Sequence, residues 1–139
     1  MGGPRHSGPS GSARLKEESL TLSLGEKQCD FTFMVARLIM QACALGYEIK
    51  VQEWNRLLET QKEYVAKGVS KTLNSKHLDN LAVDVYLYKA GKVIMGGEDY
   101  RALGEYWEGL RPGVSIWGGR WGAKEGQIGF DPVHFQYGA

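Results

Sequence analysis

Hydrophobic and polar residues follow two rhythms along this chain. Phe31, Met34, Val35, Leu38, Ile39, Ala42 and Leu45 recur at helical spacing and predict one long amphipathic helix. Ser23 and Glu26 precede the stripe at capping-box spacing, so the helix is expected to start near Ser23. Gly46 is its expected stop. From Tyr47 to Trp54 the pattern changes to alternation, with Ile49 and Val51 on one face, and predicts a strand. Residues 55–66 read as a shorter helical or irregular segment ended by Gly68, and a polar loop over 70–80 follows. Leu81 to Lys89 carries the clearest strand pattern. Leu81, Val83, Val85 and Leu87 share one face; Ala82, Asp84, Tyr86 and Tyr88 share the other. Ala90-Gly91 predicts a tight turn into a second strand over 92–95, broken at Gly96-Gly97. Residues 98–110 predict a helix carrying Tyr100, Leu103, Tyr106, Trp107 and Leu110, stopped by Arg111-Pro112-Gly113. The Gly- and aromatic-rich remainder predicts short strands at 115–117 and 133–137, and there is no internal repeat. Strands arrive without a βαβ rhythm. The expected fold class is α+β, a small central and mostly antiparallel sheet flanked by helices.

Composition narrows the function classes. At 139 residues, 42% hydrophobic and 24% charged, the chain can bury a core as one ordinary globular domain. A net charge of +1 gives no global field toward nucleic acid, so no nucleic-acid partner is expected. No apolar run approaches the roughly 20 residues that span a bilayer, so no membrane insertion is expected. Gly, Ser and Pro dominate residues 1–13; residues 1–16 read as a flexible leader or tag and 17–139 as a single domain. The start also lacks the apolar core of a secretory signal, and no signal peptide is expected. Cys29 and Cys43 would lie about 21 Å apart along the first helix, too far for a disulfide. Both are expected to be buried, reduced thiols. Neither has a nearby His in sequence, which argues against a thiol nucleophile.

The candidate chemistry rests on two short stretches, 75–84 and 131–134. His6 lies in the leader, which leaves His77 and His134. Asp84 sits mid-strand among apolar and aromatic neighbours, where a carboxylate needs a metal or a cationic partner. A salt bridge to Lys or Arg would also satisfy it. His77 reaches Asp84 only if the loop folds back, a turn that Asn74, Ser75 and Asn80 suit; alone it reads equally as a surface residue. If residues 133–137 form a strand, His134 and Gln136 face one way while Val133 and Phe135 enter the core. Asp131 stands before Pro132 where the chain turns, as a neighbour of His134 or as a plain turn cap. His77, Asp84 and His134 make a three-ligand set for one zinc ion, which in catalytic sites keeps a fourth position for water and brings its pKa toward about 7. Asp131 is then the natural carboxylate to accept the proton. Spacing alone leaves this constellation and its plainer alternatives open.

A resemblance adds to these residues. Ser75, His77, Ala82 and Asp84, followed by Asp131 and His134, resemble the pattern Ser-x-His-x-x-Gly-x-Ala-x-Asp and a downstream Asp/Glu-x-x-His. That pattern marks the zinc peptidoglycan peptidases that include D-Ala-D-Ala carboxypeptidases and dipeptidases and the L-alanyl-D-glutamate endopeptidases of phage lysis enzymes. The resemblance covers residues 26 to 138. It departs at Asn80, where the family has Gly; Asn is the next most tolerant of positive φ. It implies the fold of the Hedgehog/D-Ala-D-Ala peptidase group and one zinc per chain, held by His77, Asp84 and His134, with Asp131 as base. Arg56 and Gln61 match the family's Arg and Gln, which implies that Arg56 steadies the scissile carbonyl oxygen. Trp117-Gly118-Gly119-Arg120-Trp121 resembles the family's Trp-Gly-Gly loop. Ser75, Gln61, Trp117, Gly118 and Trp121 are the implied substrate-binding residues, although the tryptophans could equally be core. The implied partner is bacterial peptidoglycan, the expected state a monomer. The expected role is an L-alanyl-D-glutamate endopeptidase acting as a phage or prophage endolysin, held in the host cytoplasm until released to the periplasm or wall. The alternatives are a D-alanyl-D-alanine carboxypeptidase and a non-catalytic wall-binding module.

Overall fold

The structure, a computed structural model, describes residues 21–68, 70 and 75–138. The expected leader and Asn74 lie outside them. The first helix, α1 (Leu24–Ala44), begins where the capping box predicts. Glu26 N–H donates to Ser23 Oγ at 3.1 Å, and Ser23 N–H donates to Glu26 Oε1 at 3.0 Å. Phe31, Met34, Val35, Leu38 and Ala42 are buried along one stripe. Leu45 is not part of that stripe: it caps the helix C-terminus and is 39% exposed. The two cysteines also differ from expectation. Both are free and exposed, because Cys29 and Cys43 fall on the face of α1 turned away from the core.

Strand β1 (Glu48–Glu53) leads to a short helix, α2 (Leu58–Ala66), and then to the long strand β2 (Ala82–Lys89). Ala90 and Gly91 both adopt positive φ, 52° and 74°, as a tight hairpin turn demands. That turn leads into β3, which is shorter than expected at Lys92–Val93. A 3₁₀ turn (Gly97–Tyr100) runs into α3 (Arg101–Leu110); β4 (Ser115–Trp117), a second 3₁₀ turn (Gly118–Arg120) and β5 (His134–Tyr137) complete the chain. The strands form one antiparallel sheet in the order β1-β2-β5-β4, with β3 also on β2. The expected α+β class holds. Among the described residues no helix is long and apolar enough to cross a membrane.

The sheet has two unlike faces. Val83, Val85, Leu87, Phe135 and Tyr137 are buried against α1 and α3. Aromatic edges tie the layers together: Phe31 meets Trp107 at 5.7 Å and Trp54 at 5.9 Å, and Trp107 meets Phe135 at 5.7 Å. Trp107 Nε1 donates to Ile116 O at 3.0 Å, so its buried N–H is satisfied. Arg111 and Tyr137 both bond Asp30, at 2.9 and 3.1 Å, and lock α1 to the end of the sheet. The other face carries Asp84, His134 and Gln136, as the alternation of β2 and β5 requires. Val51 breaks its own alternation and is 40% exposed: β1 is an edge strand, and its register shifts between Val51 and Glu53.

Helix α3 holds two glycines in different surroundings. A Cβ on Gly104 would run into the Trp117 indole, whereas nothing lies within 4 Å of one on Gly109. Gly104→Ala is therefore expected to destabilise by about 1–3 kcal/mol, and Gly109→Ala to stabilise by about 0.5–1 kcal/mol. Urea denaturation midpoints of the two variants check both signs.

Candidate metal centre

Sheet register builds most of the site. Asp84 on β2 and His134 on β5 are direct cross-strand partners, and Ala82 is paired with Gln136. Asp84, His134 and Gln136 therefore project from one face. His77 comes from the turn over 75–80. That turn closes through Leu78 N–H to Ser75 O at 3.1 Å and Leu81 N–H to Lys76 O at 3.0 Å. Asn80 adopts φ 57°, a left-handed conformation that Asn tolerates, so the turn forms with Asn where the resembled motif has Gly. His77 N–H also bonds Ser75 Oγ at 3.2 Å.

The two imidazoles are aimed by their outer partners. His77 Nδ1 lies 3.1 Å from Trp54 O. A carbonyl only accepts, so Nδ1 carries the proton and Nε2 is a bare lone pair. That Nε2 is buried, has no hydrogen-bond partner, and stands 3.4 Å from Asp84 Oδ1. For His134, Nε2 lies 2.7 Å from Gln136 Oε1, while Gln136 Nε2 donates to Gly138 O at 2.7 Å. The amide is thereby oriented with its oxygen toward the ring, and His134 Nε2 carries a proton. His134 Nδ1 then faces Asp84 Oδ1 at 3.0 Å. Ligand atoms of His77, Asp84 and His134 all lie within 4.8 Å of one another, and among the described residues these three form the one such group. Two aimed nitrogens, one of them an orphaned buried atom, and a carboxylate fit a divalent cation with N/O preference.

The electrostatics fit the same cation. Burial pushes the Asp84 carboxyl up, but the hydrogen bond from His134 and the nearness of both imidazoles outweigh it and bring it down to about 2. Burial pulls His134 down, yet its bond to Asp84 and the Asp84 charge win and raise it. A proton on His134 Nδ1 would compete with a metal ion for the place beside Asp84 Oδ1. Asp131 lines the same cleft, raised by burial first and by the charge of Asp84 next, against His134, His77 and Arg56.

The cleft holds about 610 Å³ and is also lined by Arg56, Ser75, Lys76, Tyr64, Tyr86 and Trp121. Trp121 packs its ring 4.9 Å from that of His134. Arg56 is no solvated helix residue; it precedes α2 and its side chain is 9% exposed. Its Nε donates to Glu53 Oε1 at 2.6 Å, its Nη1 to Gln61 Oε1 at 2.5 Å, and its Nη2 also bonds Glu53. Glu53 Oε2 in turn accepts from the Tyr64 hydroxyl at 3.1 Å.

Three implied substrate contacts stand behind the cleft wall. Trp117 is fully buried and donates to Pro132 O at 2.8 Å. Gly118 is buried too; a side chain there would strike Asp131 O and the His134 Cβ, so its missing Cβ serves the approach of the 131–134 segment, not of substrate. Gln61 is fully buried and reaches Arg56, not the open cleft. Sequence reasoning missed Glu53, Tyr64, Gln136 and the Trp54 carbonyl as supports. Gln136 alone carried a signal, as the next residue on the His134 face; a backbone carbonyl has none.

Neither protein-family models nor curated proteins match the chain. Solved structures do. One is the Serratia marcescens L-Ala D-Glu endopeptidase ChiX, 26% identical with a TM-score of 0.58, the match covering 91% of this chain and 87% of that one. This chain has the fold of that peptidase. A second match, at 24% identity and a TM-score of 0.53 over 79% of this chain and 71% of the other, is a mutant of the vancomycin resistance D,D-pentapeptidase VanY from a VanB-type resistance cassette, in complex with Zn(II). The peptidase fold is thus shared with both kinds of protein that the two sequence motifs resemble.

Gln136→Leu tests the aiming of His134. It is expected to weaken metal affinity about 10–100-fold while the circular dichroism spectrum stays native, measured by competition with a chromophoric chelator.

Proposed function

We propose that the chain is a zinc-dependent peptidoglycan hydrolase that cleaves the stem peptide. The observation that carries this is the convergence of two aimed imidazole nitrogens and one carboxylate beside Asp131 in an open cleft. His77, Asp84 and His134 would hold the ion. When bound, zinc supplies Lewis acidity, polarising a carbonyl and acidifying a water. Asp131, kept basic by its surroundings, takes the proton from the attacking water and later gives it to the leaving amine. Arg56, fixed by Glu53, Gln61 and Ser75, steadies charge on the scissile carbonyl oxygen.

For the bond cut, the L-Ala–D-Glu linkage is the preferred reading, supported by the likeness to ChiX over nearly the whole of both chains. In this reading the enzyme serves as a phage or prophage endolysin, kept in the host cytoplasm until the membrane is breached. D-alanyl-D-alanine carboxypeptidase activity is the second reading, supported by the likeness to VanY.

Chelation with EDTA is expected to abolish turbidity loss of permeabilised Gram-negative cells, and added zinc to restore it. Asp131→Ala is expected to lower the rate at least about 100-fold with zinc still bound. Undiminished lysis by that variant overturns the base assignment. Mass spectrometry of digested wall separates the bonds: a new N-terminal D-Glu marks the endopeptidase, loss of a terminal D-Ala the carboxypeptidase.

A further inference from the structure

Arg56 and Lys76 are the Arg and Lys residues that line the cleft, and they differ in what they have left to give. Arg56 has five N–H groups. Nε and one Nη2 hydrogen go to Glu53, and the two Nη1 hydrogens go to Gln61 and, at 3.5 Å, to Ser75 Oγ. One donor remains, and Glu53 offsets the charge. That suffices for a single carbonyl oxygen but not for a paired grip on a carboxylate.

Lys76 is uncommitted. It is half-buried and immediately precedes His77. Its carbonyl accepts from Asp79 N–H at 3.2 Å and Leu81 N–H at 3.0 Å, so its backbone is fixed beside the metal ligands. Among the described residues no carboxylate lies within ion-pair distance of its ammonium. Asp84 and Asp131 line the same cleft and would repel an incoming anion.

The substrate class supplies such an anion. In the L-Ala–D-Glu linkage the glutamate continues the stem through its γ-carboxyl, which leaves its α-carboxylate free on the carbon that bears the scissile nitrogen. In D-Ala–D-Ala the terminal carboxylate sits on the equivalent carbon. Resting on the hydrolase reading above, we infer that Lys76 binds the α-carboxylate of the residue on the amine side of the scissile bond. Lys76 then selects a residue with a free acid there, whichever of the two bonds is cut. A compact ammonium on a flexible stem suits this role, since it can meet the carboxylate without the fixed geometry of a guanidinium.

Two stem peptides decide the matter, one with the D-Glu α-carboxylate free and one with it amidated, together with a D-Ala-D-Ala pair as acid and amide. Wild-type enzyme is expected to show a KM about tenfold lower for the acid than for the amide. Lys76→Met should lose that preference, with kcat on the amide and zinc content unchanged. Lys76→Arg, which keeps the charge, should retain most of it. A Lys76→Met protein that discriminates as the wild type does, or a wild type indifferent to amidation, overturns the inference. If no peptide is cut at all, the hydrolase reading fails instead. Calorimetric binding of the same acid and amide peptides to wild type and Lys76→Met then reads the carboxylate preference without turnover: loss of it in the variant supports the inference, and equal binding overturns it.

Discussion

The pairing of Asp84 with His134 across β2 and β5 is the constraint on which the site depends. In an antiparallel pair, side chains alternate with a period of two, so a one-residue slip of β5 against β2 would turn His134 into the core and bring Phe135 out. The hydrophobic face prevents the slip. Val83, Val85, Leu87 and Phe135 are fully buried against α1 and α3, and exposing even one such side chain costs about 1.5–3 kcal/mol. The apolar face thereby fixes the geometry of the polar site on the opposite face.

The remaining ligand needs other support, because His77 lies in a turn and not in the sheet. The end of β1 provides it. Glu53 is the register partner of Asp84, Trp54 O holds His77 Nδ1, and Arg56 N–H bonds His77 O at 3.1 Å. The bulge that exposes Val51 therefore accompanies a chain path that turns the next residues toward the cleft. One short segment thus sets the tautomer of a ligand, pins its backbone, and carries the arginine of the site. Such outer partners weigh heavily because an imidazole binds metal only through the nitrogen that its other hydrogen bond leaves bare.

Much of this was legible in the sequence, for identifiable reasons. Period-two alternation in 81–89 and the pair His134/Gln136 announced which residues share a face, and the capping box at Ser23 announced where α1 begins. The fold class followed from the order of those elements. What was not legible depended on tertiary neighbours. Cys29 and Cys43 looked buried because cysteine behaves as a small hydrophobe, yet their angular position on α1 points them to solvent. Trp117 and Gly118 looked like cleft residues from their motif; only the packing of Trp117 under α3 and of Gly118 against Asp131 shows them as the foundation of the wall. The Trp54 contact to His77 could not be read from spacing, since it joins separate segments.

The site also bears on how the fold is held. Its three ligands come from a turn, from β2 and from β5, and His134 stands 50 residues beyond Asp84. A cation at their meeting point would cross-link these segments and join the binding free energy to that of folding. Without it, the Asp84–His134 ion pair does part of the same work, and the lowered pKa of Asp84 and raised pKa of His134 register that attraction. The substitute is incomplete, since His77 Nε2 stays buried with no partner and so retains an unmet desolvation cost. A proton on His134 satisfies one side of the triad only. A divalent ion satisfies all three donors at once, and that difference is the physical reason for the site to prefer metal to acid.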